Sequence, residues 1–273
     1  MRITFRNHGV KSYWANRWND IPADEPMANI NTYPLKYALK TVDSKDGSIL
    51  EAGCGAGRIL RYYHDLGYDI TGFDFIEVAI EKLKEVDESL KVEVGDITNL
   101  KYKNEQFRYL LAYGLYHNLE NGLTGAIKES WRVLEPGGKI CASFRADNIQ
   151  TRLTDWLASR KNKIEANDDS LEFHKLNLTR REFTSVFEKA GFKIDQVFPV
   201  ENMPILYKFS FFRAQTHKSF NENIARKDGY KLSCLGTILQ KLLMRLLPNQ
   251  FCNILSLLLQ KLQSRSLQFI KLY

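Results

Sequence analysis

Three closely spaced glycines between two acids are the residues of this chain whose types and spacing point most directly to chemistry. The run EAGCGAG at residues 51–57 begins with an acid, and Asp74 follows seventeen residues after its last glycine. Glycines let a backbone turn sharply and let a ligand approach where a Cβ would clash, and a following helix presents its N-terminal N–H groups. An acid at the end of the next strand can accept both hydroxyls of a ribose. The spacing therefore predicts a site for a nucleoside cofactor.

The glycine spacing also bears on the kind of cofactor. The dinucleotide fingerprint G-x-G-x-x-G would need a third glycine at Arg58, counting from Gly53, or at Leu60, counting from Gly55. Neither position is glycine. A nicotinamide-dependent reductase is therefore a disfavoured alternative.

Several short apolar runs, separated by segments with helical character, would position these residues. The strand-like runs lie at 49–52, 70–74, 92–97, 107–113 and 139–144, and a helix, a capping glycine and a further strand are expected over 181–194. Alternation of strands and helices favours one doubly wound α/β sheet over two independent domains. A chain of 273 residues with 44% hydrophobic content can bury a core of that size.

This ordered set of motifs resembles the class I S-adenosylmethionine-dependent methyltransferases over about residues 45–200. The motifs that carry it are the glycine turn with Glu51, the acid Asp74, the run VEVGDI at 92–97, and the run WRVLEPGGKI at 131–140. The resemblance implies a Rossmann-like seven-stranded sheet. It also implies an N-terminal helical cap (1–46), a cofactor-binding core (47–201), a basic helical insertion (202–250), and a last strand with a tail (251–273).

The resemblance also implies which residues hold S-adenosylmethionine, whose product is S-adenosylhomocysteine. Those for its methionine part are Glu51, Gly53, Gly55 and Gly57, with the backbone of Tyr113 and Gly114. Those for its ribose and adenine are Asp74, Phe75, Ile76, Asp96 and Ile97.

The loop after the 107–113 strand is expected beside the transferred methyl group. His117 would be a general base there, since an imidazole of ordinary pKa takes a proton near neutral pH. A loop-positioning histidine bonded to backbone is the alternative. Tyr116 and Asn118 would orient the substrate, as would Arg145 at the end of the 139–144 strand.

An aromatic and cationic segment precedes the first core strand. Tyr13, Trp14, Arg17 and Trp18 would share one side of a helix. Such a segment could cover the cofactor and bind substrate through Tyr13, Trp14 and Arg17, or the aromatics could anchor the helix to the core. Arg17 is expected to contact an anionic substrate group.

Basic charge is concentrated at the C-terminal end of the chain. From residue 201 onward, eleven Lys and Arg stand against three acids, a local net charge of +8, and the whole chain has +7. Leu232, Leu235, Leu239, Leu242 and Leu246 repeat at helical spacing within this region. That amphipathic helix could pack on its own domain, rest on an anionic membrane, or form a homodimer.

The acceptor class follows in part from motifs that the sequence lacks. No Asn/Asp-Pro-Pro-Tyr/Phe run follows the 107–113 strand, which disfavours methylation of a nucleobase, and no nucleic-acid partner is expected. The pattern resembles the small-molecule and quinone-biosynthesis branch, so the expected reaction is O-methylation of a small-molecule or lipid- or sugar-linked acceptor. A catalytically silent scaffold that binds a membrane or protein partner is the alternative from another class.

The four cysteines and the N-terminus support an ordinary intracellular protein. The cysteines are widely separated without a C-x-x-C pair, so reduced core residues are expected and no metal site. The first residues hold no apolar signal-peptide region, so a cytoplasmic protein is expected, with contact to a membrane at its surface as an open alternative.

Overall fold

A computed structural model describes residues 1–6, 9–23, 25–165, 171–200, 203–219 and 229–262. The strands are β1 (Arg2–Arg6), β2 (Ile49–Ala52), β3 (Ile70–Asp74), β4 (Lys91–Val94), β5 (Phe107–Ala112), β6 (Leu134–Arg145), β7 (Glu172–Asn177), β8 (Phe192–Pro199) and β9 (Ile254–Lys261). The α-helices are α1 (Val10–Asp20), α2 (Leu35–Thr41), α3 (Arg58–Asp65), α4 (Glu77–Val86), α5 (Leu123–Val133), α6 (Ile149–Glu165), α7 (Arg180–Lys189), α8 (Pro204–Tyr207), α9 (Cys234–Leu246) and α10 (Pro248–Phe251).

The predicted seven-stranded sheet is confirmed. Its strand order is β4-β3-β2-β5-β6-β9-β8, and only β9 runs antiparallel to its neighbours. Parallel neighbours are joined through helices, which cover both faces of the sheet. The carboxyl ends of β2, β3, β4 and β5 therefore meet at one edge, where a doubly wound sheet binds ligands.

The central strands are apolar on both sides because both sheet faces are covered. Leu50 and Leu110 pack into one core cluster, whereas Ile49 and Leu111 pack into the cluster on the opposite face. All four side chains are inaccessible to solvent. This double burial fixes the register of β2 against β5 and so fixes the loops that follow them.

The N-terminal segment differs from the predicted helical cap at its start. β1 pairs antiparallel with β7 in a separate two-stranded ribbon, in which Ile3 lies opposite Leu176 and Phe5 opposite Phe173. Apolar Ile3 and Phe5 alternate with polar residues, which is a strand pattern. α1 and α2, which follow within residues 9–46, are helical as expected.

The strand predicted from residue 139 begins earlier, and a turn at Pro136–Gly138 lies inside it. α5 ends at Val133 and β6 begins at the next residue, so the turn lies within β6. Gly137 has a φ of +82°, and the pairing of β5 with β6 shifts register across this segment. Glycine permits this positive φ, and an irregularity inside a strand takes the place of a separate loop.

The segment between β8 and β9 contains the predicted amphipathic helix. α9 spans Cys234–Leu246 and begins after Ser233, whose hydroxyl accepts a hydrogen bond from the Gly236 N–H at 3.3 Å. The last strand, predicted over 251–259, is observed as β9. Among the described residues, no helix is long and apolar enough to cross a bilayer. The predicted tail at 263–273 lies outside the described residues.

Candidate active site

A cavity of about 1230 Å³ opens at the carboxyl edge of β2, β3 and β5. Its walls come from the glycine turn after β2, the ends of β3 and β4, the loop after β5, α1, and the ribbon of β1 and β7. Predicted cofactor residues on these walls are Glu51, Gly53, Gly55, Asp74, Phe75, Ile76, Asp96, Ile97, Tyr113 and Gly114. The structure therefore brings together ten of the eleven residues predicted to hold the cofactor.

The glycine turn has a backbone that other residues adopt only with strain. Gly53, Gly55 and Gly57 have φ values of +72°, +52° and +83°. A Cβ on Gly55 would lie 2.7 Å from the Trp18 ring, so the loop and α1 approach closely there. Gly57 is the one residue predicted to bind the cofactor that does not line the cavity. A Cβ on Gly57 would meet the Leu83 side chain, which fills the space beside it.

Asp74 ends β3 with its carboxylate already oriented. One oxygen accepts the Gly55 N–H at 2.8 Å and the other accepts the Ile76 N–H at 2.9 Å. Burial raises the pKa of Asp74, while these backbone hydrogen bonds lower it. Each carboxylate oxygen has a second lone pair, so the group can still accept hydrogen bonds from a ligand's hydroxyls.

Glu51 is a buried acid that lacks a full set of partners. Its side chain is 5% exposed, and its Oε2 atom has no hydrogen-bond partner. Burial raises the pKa of Glu51 to about 8, against an opposing effect of Arg58. A buried acceptor without a partner on a cavity wall fits a cationic donor on a ligand, such as an ammonium group.

The raised pKa of Glu51 makes folding stability depend on pH. The folded pKa of Glu51, about 8, exceeds the ordinary value of 4.5. The stabilisation that this group contributes to the folded chain is therefore complete below pH 4.5 and is lost as pH rises through 8. We expect Glu51→Gln to be more stable than the native chain at pH 9, by a few kcal/mol as an order of magnitude, and the difference to shrink towards pH 5. Urea unfolding of both proteins across this range measures it; a gap that stays constant with pH would contradict it.

The opposite wall carries the residues predicted for adenine. The Asp96 carboxylate accepts hydrogen bonds from the backbone N–H and hydroxyl of Thr98, both at 2.8 Å. Ile97 is buried, whereas the exposed Phe75 ring has the Lys11 ammonium 4.9 Å from its centroid. This wall therefore presents apolar surface beside an oriented carboxylate, as a flat polar ring requires.

The loop after β5 is held by hydrogen bonds that the sequence did not reveal. The Gly114 N–H donates to the Ser143 hydroxyl at 3.0 Å, and the Tyr33 and Ser143 hydroxyls lie 2.7 Å apart. Asn118 donates from its amide to the Gly114 carbonyl at 2.6 Å. The only indication in the sequence that Ser143 lies near this loop was its place near the end of a predicted strand.

α1 forms one wall of the cavity, as the sequence predicted for a covering helix. The Trp14 and Trp18 rings stack at 5.4 Å, and the Arg17 guanidinium lies 5.5 Å from the Trp14 ring. All three side chains line the cavity, whereas Tyr13 does not. The Lys82 ammonium donates to the carbonyls of Trp18, Asn19 and Ile21 at 2.7–3.0 Å and so attaches the end of α1 to α4.

His117, predicted as a general base, and Arg145, predicted to act on the substrate at the end of its strand, do not line the cavity. His117 is 7% exposed, and burial, together with the nearby cations Lys175 and Arg145, holds its pKa well below 6.5. Arg145 donates to Asp155 at 2.7 Å and to the amide oxygen of Asn177. Neither residue is among those that line the cavity, so their catalytic role stays a prediction.

Of the residues predicted to orient substrate after β5, one lines the cavity and one does not. Asn118 lies on the wall, whereas the buried Tyr116 hydroxyl lies 2.7 Å from that of Ser130. Sequence reasoning missed Glu120 on the same loop and Glu172 on β7, both of which line the cavity. Glu172 could not be found because its position depends on the ribbon with β1. Within the described ranges, no cluster of three or more His, Cys, Asp or Glu is placed to hold a metal.

Comparison with known sequences finds a family model that matches the central part of the chain. Residues 50–142 match the family model described as "Methyltransferase domain". An uncharacterized methyltransferase of Bacillus subtilis, YodH, is 30% identical over 105 residues, which are 37% of this chain and 44% of YodH. A ubiquinone biosynthesis O-methyltransferase of Pseudomonas fluorescens is 24% identical over 132 residues, which are 46% and 56% of the two chains. The chain thus spans about half the length of these curated relatives.

Solved structures show the same fold across most of the chain. An S-adenosylmethionine-dependent methyltransferase from Methanosarcina mazei has a TM-score of 0.57 at 18% identity, covering 85% of this chain and 99% of that one. Geranyl diphosphate C-methyltransferase from Streptomyces coelicolor, solved with Mg²⁺, geranyl diphosphate and S-adenosylhomocysteine, has a TM-score of 0.57 at 11% identity, covering 94% and 100%. At these identities the likeness concerns the fold.

Proposed function

Residues 50–142 are a methyltransferase domain within a class I methyltransferase fold, and from that premise we propose that the chain transfers a methyl group from S-adenosylmethionine to an acceptor oxygen. The observation that carries the proposal is the wall on which Asp74 is oriented by the glycine turn while the Oε2 atom of Glu51 lacks a hydrogen-bond partner. A ribose and an ammonium group are what these two acids would bind.

S-adenosylmethionine fits the walls of the cavity. Glu51 would accept from its ammonium, Asp74 from its ribose hydroxyls, and Asp96 from its adenine amine. Gly53 and Gly55 let the turn lie close to the rest of the cavity wall, since a Cβ there would meet Leu115 or Trp18. When bound, this cofactor supplies a methyl group on a positively charged sulfur.

This chain's own residues would contribute mainly by positioning and by excluding water, which can supply much of the acceleration of such a transfer. Trp14 and Trp18 cover the cavity from α1, and Asn118 holds the loop that faces it. A hydroxyl acceptor must also lose its proton. Glu120 and Glu172 are carboxylates on the wall that can accept it, whereas His117 is not among the residues that line the cavity.

The acceptor class is supported by the wall from the β1–β7 ribbon. Phe5, Leu171 and Phe173 present apolar surface there, while Arg17 supplies a cation. An acceptor with a hydrophobic part and a polar reacting end suits such a wall. The Pseudomonas fluorescens relative, named for O-methylation in ubiquinone biosynthesis, supports transfer to oxygen on a small-molecule or lipid-linked acceptor.

The silent-scaffold alternative is less well supported. A scaffold has no need for a carboxylate held by two backbone N–H groups or for a buried acid such as Glu51. Burying an acid without a full set of partners is costly for the folded chain, and a ligand that pairs with the Oε2 atom of Glu51 would offset that cost.

Transfer of a labelled methyl group tests the proposal. The protein is incubated with methyl-labelled S-adenosylmethionine and a cellular metabolite extract, which is then divided into organic and aqueous phases. We expect label in the organic phase with the native chain and at least about a hundredfold less with Asp74→Asn, which loses the charged acceptor for the ribose. Label confined to the aqueous phase would contradict the amphiphilic acceptor, and equal label with Asp74→Asn would contradict the site.

A further inference from the structure

α9 exposes a continuous apolar face. Leu235, Ile238, Leu242 and Leu246 recur at helical spacing, and each is 51–65% exposed. The other side of the helix uses Leu239, Leu243 and Met244 to pack against a small core cluster formed by Met203, Ile205 and Leu206. The exposed face is therefore additional to the face that holds α9 on its own domain, and large exposed apolar patches mark interaction sites.

A basic strip borders this face. Lys241 and Arg245 follow Ile238 and Leu242 by three residues each, so they lie beside the apolar face on the same helix, and both are exposed. Across the described ranges 203–219 and 229–262, the sequence holds seven Lys and Arg and contains neither Asp nor Glu. These two described ranges therefore have a local net charge of +7.

The segment that contains α9 is attached to the sheet at the edge where the cavity opens. The segment that contains α9 leaves the sheet after Pro199 and returns at Ile254, which pairs with Arg145 at the end of β6. The carboxyl ends of β5 and β6 lie at this edge, where the cavity opens. The segment that carries α9 therefore leaves and rejoins the sheet at the edge where the cavity opens.

We propose that the exposed apolar face of α9, with Lys241 and Arg245 beside it, docks the protein on an anionic lipid surface. An interfacial helix buries its apolar face at the boundary of headgroups and acyl chains, while its basic residues bind the anionic headgroups. The chain provides both parts on one helix, and α9 itself carries no acid.

A second copy of this chain fits the same face less well. Two copies that met through α9 about a twofold axis would each bring the same patch to the contact. Lys241 and Arg245 of both copies would then be held near one another, and the described ranges 203–219 and 229–262 contain no carboxylate side chain to pair with them. Like charges placed together oppose association, whereas an anionic bilayer attracts the same charges.

Vesicle flotation with the full chain tests the proposal. We expect binding to vesicles of phosphatidylcholine with phosphatidylglycerol and little binding to phosphatidylcholine alone. Since each basic residue near an anionic surface strengthens partitioning about fivefold, Lys241→Glu with Arg245→Glu should weaken binding at least about twentyfold. Ile238→Ser with Leu242→Ser should also weaken it, by removing half of the apolar face.

A matched variant separates the effect of the charges on α9 from the effect of the net charge of the whole chain. Lys84→Glu with Lys101→Glu changes two exposed lysines on α4 and in the loop before β5, and lowers the net charge of +7 by the same four units. We expect this variant to bind vesicles within about threefold of the native chain, since its charges lie outside the face. Circular dichroism melting shows that each variant is folded.

Three results would overturn the proposal. The first is no flotation of the native chain with anionic vesicles, and the second is equal loss of binding in the two charge variants. The third is a native dimer in sedimentation equilibrium that Leu242→Ser converts to a monomer, which would assign the face to a second copy. Binding of S-adenosylmethionine is measured separately, so none of these results bears on the proposed methyl transfer.

Discussion

Asp74→Asn is expected to weaken binding of S-adenosylmethionine by at least about a hundredfold, since each hydrogen bond to a charged group contributes about 1.5–3 kcal/mol and the carboxylate would receive two from the ribose. The native carboxylate is held by the Gly55 and Ile76 N–H groups at 2.8 and 2.9 Å. An asparagine offers one oxygen and turns an NH₂ group towards the other N–H donor. The substitution thus removes the charge and also disturbs the glycine turn.

A neighbouring acid provides the control for this prediction. Asp69 precedes β3, is exposed, and pairs with Lys91 at 2.7 Å. Asp69→Asn removes a carboxylate at the opposite end of the same strand and should leave cofactor affinity within about twofold, because exposed ion pairs contribute little. Titration calorimetry of both variants measures the affinities; an Asp74→Asn chain that is folded and binds like the native chain would contradict the site.

Gly55→Ala is expected to have the second large effect, on folding and binding together. The backbone at Gly55 has a φ of +52°, which costs about 1–2 kcal/mol for a residue with a Cβ. The new Cβ would also lie 2.7 Å from the Trp18 ring, which must move. We expect a free energy of unfolding lower by about 2–4 kcal/mol and cofactor affinity reduced at least about tenfold, since the turn is where the ligand approaches.

Two further variants separate the causes of this effect. Gly55→Ala combined with Trp18→Ala removes the clash with α1 and should recover part of the stability, while the cost of the positive φ remains. Gly125→Ala, in α5, meets no atom within 4 Å and should stabilise the chain by up to about 1 kcal/mol, because alanine favours a helix. Urea unfolding of the set measures the free energies; equal effects of Gly55→Ala and Gly125→Ala would contradict the close approach.

The sequence predicted the parts of the site that depend on short segments. Asp74, Asp96 and the glycine turn each follow a strand whose apolar pattern is visible, and parallel strands bring their carboxyl ends to one edge. The number of strands in the sheet followed from the resemblance to a known family. The leucine spacing located α9 and the apolar run located β9 for the same local reason.

The parts that the sequence did not predict depend on contacts between distant segments. The β1–β7 ribbon joins Ile3 to Leu176, and it places Glu172 on the wall of the cavity. The burial of His117 and its absence from the residues that line the cavity also do not follow from its position after β5. Gly57 shares the spacing of the other glycines, yet its space is filled by Leu83. None of these outcomes is encoded in residue spacing.

The exposure of the α9 face could not be read from the sequence either. The same leucine spacing is compatible with a helix packed on its own domain, on a membrane or on a second copy. Packing of Leu239 and Leu243 against the cluster around Met203 is what leaves Leu235 and Leu242 facing outwards.

Titration calorimetry of the purified chain with S-adenosylmethionine, S-adenosylhomocysteine and NADH tests the central claim most directly. The arrangement of Glu51, Asp74 and the glycine turn predicts saturable one-site binding of the first two ligands and none of NADH, since Arg58 stands where a dinucleotide site needs glycine. Binding of NADH, or a folded chain that binds neither sulfur compound, would contradict the assignment of the cavity to a methyl-donor cofactor.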